Sequence, residues 1–121
     1  MKVYTSYYSK ISRNPRGLVP VRVSTSAPSW FPFELEEIPE LYPGWDLVSG
    51  IKNGSLDKEA YERIYRDKLK RLDKDHIIQV LNDISQRHQG RDLVLLCYEK
   101  TGDFCHRPFI AEWLGDITEL E

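Results

Sequence analysis

The chain has 121 residues, of which 40% are hydrophobic and 30% charged. That supports one globular domain and excludes a disordered chain. No apolar run reaches the length of a membrane span, the N-terminus lacks a signal-peptide pattern, and the net charge is only −2. A soluble cytoplasmic protein with no membrane partner is therefore expected, and the charge does not support a general nucleic-acid binder.

The charge is unevenly distributed along the chain. Residues 1–33 carry five basic residues and no acid, whereas residues 34–46 carry five acids and no base. A local positive pocket fed by the N-terminal segment is compatible with that pattern. Val3 to Tyr8 alternates as a strand, with Val3, Thr5 and Tyr7 on one face. Arg13-Asn14-Pro15-Arg16-Gly17 is a turn signal. Leu18 to Ser24 reads as a second strand, its Val19, Val21 and Val23 sharing a face. Pro20 offers no N–H to a ladder, so one side of this strand is expected at an edge or a bulge. Arg22 lies near its carboxyl end.

Thr25 to Gly50 holds four prolines with Trp30, Phe31, Phe33, Tyr42 and Trp45 between them. Only Glu34 to Ile38 offers even a short helical turn, and the segment has room for one further short strand. So many aromatics argue for an ordered segment, either a proline-stiffened lid over the core or one wall of a pocket.

Ser55 or Asp57 caps a helix running to about Leu72, with Leu56, Ala60, Tyr61, Ile64, Tyr65, Leu69 and Leu72 as its apolar stripe. Asp73 or Asp75 opens a second helix that ends before Gly90, with His76 and His88 in surface or packing roles. Leu93 to Leu96 is an unbroken apolar run suited to a strand buried on both faces. Pro108 suits the first turn of a final helix. The order β, β, long loop, α, α, β, α predicts a small single α/β domain with a largely parallel sheet flanked by helices.

Between the last strand and the last helix lie Cys97, Glu99, Cys105, His106 and Arg107. A helix start at the carboxyl end of a buried strand is a common place for an anionic ligand. Four readings compete. The segment is an anion site built on Arg107 and backbone N–H groups. Or it is a thiol nucleophile at Cys97 or Cys105, favoured by Arg107, His106 and the helix N-terminus. Or it is a zinc site of Cys97, Cys105 and His106, although C-x7-C-H matches no common zinc module and a fourth ligand is lacking unless Glu99 serves. Or the cluster is structural, with Glu99 paired to Arg107 and the cysteines filling small spaces. Compartment and spacing favour free thiols over a disulfide, and the spacing argues against zinc. Glu99 and Arg107 are expected to form a carboxylate–guanidinium pair closing the loop. The strand–Cys-loop–Arg–helix order resembles rhodaneses and cysteine phosphatases in architecture only. Those need a C-x5-R loop, and here Arg107 follows Cys97 as C-x9-R.

Cys97-Tyr98-Glu99 followed by Cys105-His106-Arg107, at the end of a Leu-Leu-Cys strand, is similar to the C-x-E…C-H-R signature of a widespread bacterial and phage family, domain-of-unknown-function family 488. The likeness includes Val21-Arg22 and runs over most of the chain. This chain departs from the family where Thr5-Ser6-Tyr7 replaces a frequent Gly-His-Ser and where Pro20 replaces an Asp, so the roles of those positions are not carried over. The resemblance implies a site of Arg22, Cys97, Glu99, Cys105, His106 and Arg107 and names neither a reaction nor a cofactor.

Two functions are thus expected to compete. In the first, the protein binds a phosphate-bearing, nucleotide-like small molecule through Arg22, His106 and Arg107 and acts on it through Cys97 or Cys105 with Glu99. In the second it is a non-enzymatic binding or interaction module with a structural Cys-His-Arg cluster.

Overall fold

A computed structural model describes residues 1–98 and 105–120. Its centre is a five-stranded sheet made of β1 (Val3–Tyr7), β2 (Val19–Arg22), β3 (Glu36–Glu37), β4 (Leu93–Cys97) and β5 (Ile117–Glu119), in the spatial order β3-β2-β4-β1-β5. Every pairing is parallel, so all five strands end at the same edge. β4 takes the middle because nothing else in the chain tolerates burial on both faces so well. Leu93, Val94, Leu95 and Leu96 are each fully buried.

Four helices follow the strands: α1 (Trp45–Asn53), α2 (Lys58–Arg71), α3 (Lys74–Arg87) and α4 (Arg107–Leu114). Asp57 caps α2 by accepting a hydrogen bond from the Ala60 N–H at 2.7 Å, and Asp73 caps α3 through the His76 N–H at 3.2 Å. The larger core joins Val19, Val21, Val23, Leu93 and Leu95 of one sheet face to residues from all four helices. The opposite face bears Val94 and Leu96, covered by Tyr8, Ile11, Leu18 and Leu120 with Phe31 and Leu35 packed on them. Helices thus flank one side of the sheet, and loops cover the other.

The proline-rich segment closes one core, and of its five aromatics Trp45 alone lines a cavity. Phe31 packs edge-on to Tyr8 at 5.3 Å and helps close the loop-covered core. Further on, the chain forms β3 and a 3-10 turn at Pro39–Leu41 in place of a helical turn at 34–38, and then α1, which the periodicity of the sequence does not announce. Gly50 lies inside α1 because the helix passes Leu56 closely. A Cβ at Gly50 would meet the Leu56 Cβ at 3.0 Å. β5, which follows α4 and has no counterpart in the element order read from the sequence, adds a strand beyond β1.

Pro20 is accommodated in an interior strand without a lost ladder bond. The N–H groups of Val19 and Val23 point to β4, bonding Asp92 and Leu96 carbonyls at 2.9 and 3.3 Å. The nitrogen of Pro20 therefore faces the other way, where β3 pairs only with Val21 and Arg22. No helix among the described residues is long and apolar enough to cross a membrane.

Candidate functional site

Because the sheet is parallel, β2 and β4 deliver Arg22 and Cys97 to the same carboxyl edge, and α4 begins there with Cys105, His106 and Arg107 just before or at its start. The fold therefore gathers five of the six expected site residues. The sixth, Glu99, and with it the expected Glu99–Arg107 pair, lies outside the described residues.

The two cysteines do not stand as the free thiols expected from their spacing. Their sulfurs are joined as a disulfide, with Cα atoms 7.6 Å apart. Sequence separation hides this pairing, because it is the end of β4 and the start of α4 that bring the sulfurs together. Both cysteines are buried, Cys97 fully and Cys105 to 5% exposure. The Cys105 Sγ also accepts a hydrogen bond from the Arg107 backbone N–H at 3.4 Å and lies 3.8 Å from the His106 Nδ1.

His106 is 4% exposed, and its Nε2 lies 2.6 Å from the Val23 carbonyl. A carbonyl only accepts, so Nε2 carries the proton and Nδ1 presents a lone pair toward the sulfur. Burial pulls the His106 pKa down to about 4, outweighing the Val23 hydrogen bond, while the positive charges of Arg107 and Lys68 push it the same way. The imidazole is therefore neutral at pH 7 and does not form an imidazolium–thiolate pair with Cys105. Tyr65 holds the ring edge-on at 5.3 Å.

The two arginines expected to bind ligand are engaged by the protein itself. Arg22 donates to the carbonyls of Ser24 (3.0 Å) and Thr25, pairs with Glu37 at 3.0 Å and stacks 4.6 Å above the Tyr42 ring. Its guanidinium shapes the segment after β2. Arg107 is 2% exposed and turns toward β1 and β5, 3.5 Å from Glu119 and 5.7 Å above Tyr7. Thr5 donates to the same Glu119 carboxylate at 3.3 Å. Glu119 is thus the carboxylate partner of Arg107 among the described residues.

Beside this cluster opens a cavity of about 470 Å³. Ser24, Thr25 and Ser26 line one side, Pro43 with Trp45, Val48, Ile51 and Lys52 of α1 another, and Tyr61, Tyr98, Cys105 and His106 complete it. Arg22 and Arg107 are absent from this lining, so the only fixed positive charge on it among the described residues is Lys52. The Tyr8 hydroxyl stabilises the serine side by donating to Ser24 Oγ at 2.7 Å, and Ser24 in turn donates to the Ser26 carbonyl at 2.5 Å. Burial raises the Tyr8 pKa to about 12, against the lowering effect of the Arg22 charge. Lys52, Val48 and Ile51 are not among the residues the sequence points to, because α1 lies in a stretch that reads as loop. A local hint, Pro43-Gly44 followed by apolar residues at 47, 48 and 51, is masked by Gly50 inside the helix.

A family model described as DUF488-N3a, the active DUF488-N3 subclade, matches residues 6–118. No curated protein and no solved structure gives a significant match.

Proposed function

The chain belongs to domain-of-unknown-function family 488, and we propose that it binds a small phosphate-bearing, nucleotide-like molecule in the cavity and acts on it through Cys105, with Cys97 as the redox partner of that sulfur. The observation that carries this reading is the position of Cys105. It lines the cavity, sits at the start of α4 under the Arg107 N–H, and faces the lone pair of His106. Once the disulfide is reduced, the helix N-terminus and the Arg107 N–H favour the thiolate of Cys105. Trp45 and Tyr98 offer ring faces for a base, and Lys52 with the Ser26 hydroxyl offers contacts for a phosphate. The matched subclade is described as active, which fits a catalytic role better than a passive one.

Arg22 and Arg107 enter this reading as positioning residues. Arg22 holds the Ser24–Thr25 backbone that forms one wall, and Arg107 fixes the start of α4 against β5.

Thermal shift over nucleotides and phosphorylated metabolites tests the binding. A true ligand at a hundred times its Kd adds about 2.7 kcal/mol to the folded state. Lys52→Gln is expected to weaken that shift without altering the ligand-free melt. If no compound of this class moves the melting temperature, the cavity is not a site for phosphate-bearing molecules.

The burial of both cysteines favours a second reading, in which the pair is a structural staple. Alkylation decides between them. After reduction, Cys105 should react with iodoacetamide at pH 6, as a low-pKa thiol does and an inert buried one does not.

A further inference from the structure

We propose that, when the Cys97–Cys105 bond is reduced, the two thiolates and the Nδ1 nitrogen of His106 form a site for one thiophilic divalent cation, zinc foremost. The two sulfurs and a ring nitrogen all lie within 4.8 Å of one another, and all three residues are buried. The spacing C-x7-C-H matches no common zinc module, but spacing is not what assembles the donors here. The end of a strand and the start of a helix do.

The imidazole is set for ligation. Its Nε2–H is committed to the Val23 carbonyl at 2.6 Å, which leaves Nδ1 as the electron-pair donor facing Cys105. A histidine ligand whose other nitrogen donates to a backbone carbonyl is the usual arrangement at metal centres, because that bond fixes both tautomer and ring plane. The Arg107 N–H at 3.4 Å supplies a hydrogen bond to the Cys105 sulfur. Two thiolates and a dication sum to zero charge, so the complex is buried without the cost of an isolated ion. Three protein ligands leave a fourth position, and since Cys105 and His106 line the cavity, that position is reached from the cavity.

The disulfide and the metal complex are then alternative states of one pair of sulfurs. A low-molecular-weight disulfide, RSSR, converts the complex into the protein disulfide. Its S–S bond takes up two electrons and two protons from water to give two RSH, the Cys97 and Cys105 thiolates lose those two electrons and join, and the cation leaves; two RSH with the cation reverse the step. This site does not depend on the cavity holding a phosphate-bearing ligand, and it is tested with metal alone.

The protein is reduced with a phosphine under argon, desalted and titrated with Co2+ and then with Zn2+. One Co2+ per chain is expected, with sulfur-to-cobalt charge-transfer absorption and the visible bands of a four-coordinate ion, both lost when one equivalent of Zn2+ is added. The oxidised protein should take up none. His106→Gln and Cys105→Ser should weaken uptake at least tenfold, as the loss of a ligand or of its support does. Should either variant fail to fold by circular dichroism, the wild type alone still decides. One equivalent of Zn2+ should protect both thiols of the reduced chain from iodoacetamide, read as two labels falling to none by mass spectrometry. Absence of the charge-transfer bands, or labelling unaffected by zinc, overturns the proposal.

Discussion

Burial sets the protonation of His106, and that makes a single residue a source of pH-dependent stability. Its folded pKa is about 4 against an ordinary 6.5, so between these values the unfolded chain binds a proton that the folded chain does not. Stability is therefore complete above about pH 6.5 and falls as pH drops toward 4. From pH 7 to pH 5 the loss amounts to about 2 kcal/mol. Glu36 and Glu112, whose carboxyl pKa values are lowered from 4.5, lose stability only at lower pH and stay outside this window. For Glu36, burial acts upward, and the hydrogen bonds from Arg87 and His88 overcome it. Urea melts at pH 7 and pH 5 are expected to differ by that amount in the wild type and much less in His106→Gln. Equal differences in the two proteins would place the titration elsewhere.

At the scale of elements, two side chains anchor backbone carbonyls in the segments that follow β2 and β3. The Tyr65 hydroxyl of α2 donates to the Leu41 carbonyl at 2.6 Å, with Tyr65 fully buried. Tyr65→Phe keeps the ring but leaves that carbonyl with one partner fewer, at an expected cost of about 1–3 kcal/mol in urea melts. Arg22 plays the matching part on β2. Arg22→Met removes donors from the Ser24 and Thr25 carbonyls and should likewise cost about 1–3 kcal/mol. Faster amide exchange at residues 24–26 should accompany it, whereas Glu37→Gln, at a half-exposed carboxylate, should cost under about 1 kcal/mol. If Arg22→Met and Glu37→Gln cost the same, the arginine's contacts with the backbone contribute nothing.

These same elements mark where the sequence was legible. β4, β1, α2 and α3 announce themselves because each has one dominant pattern: an unbroken apolar run, an alternation, or a stripe with a capping aspartate. α1 does not, since Gly50 sits inside it for a close approach to Leu56 that no local rule predicts. β3 and β5 are two and three residues long and are defined by the neighbours they pair with, not by their own pattern. The grouping of the Cys-His-Arg cluster at one edge of the sheet was legible, yet the partners of its arginine and its cysteines were not. Glu119 meets Arg107 only because β5 returns beside β1.

Over the whole molecule, the disulfide joins the end of the central strand to the residues just before the final helix. Its two cysteines are eight positions apart, so the constraint it puts on the unfolded chain is that of a short loop. Loop-closure entropy for that length gives about 2–3 kcal/mol. The start of α4 has a second anchor, the Arg107–Glu119 pair, and it also packs against the core through Phe109 and Ile110. Reduction should therefore lower stability without unfolding the domain. Urea melts with and without a phosphine reductant are expected to be cooperative in both cases and separated by about 2–3 kcal/mol. Cys97→Ala combined with Cys105→Ala should abolish the response to reductant, and zinc added to the reduced wild type should restore part of the loss, because a cation held only by the folded chain stabilises it by mass action. Coincident melts of the wild type in the two conditions would mean that the bond does not form in solution.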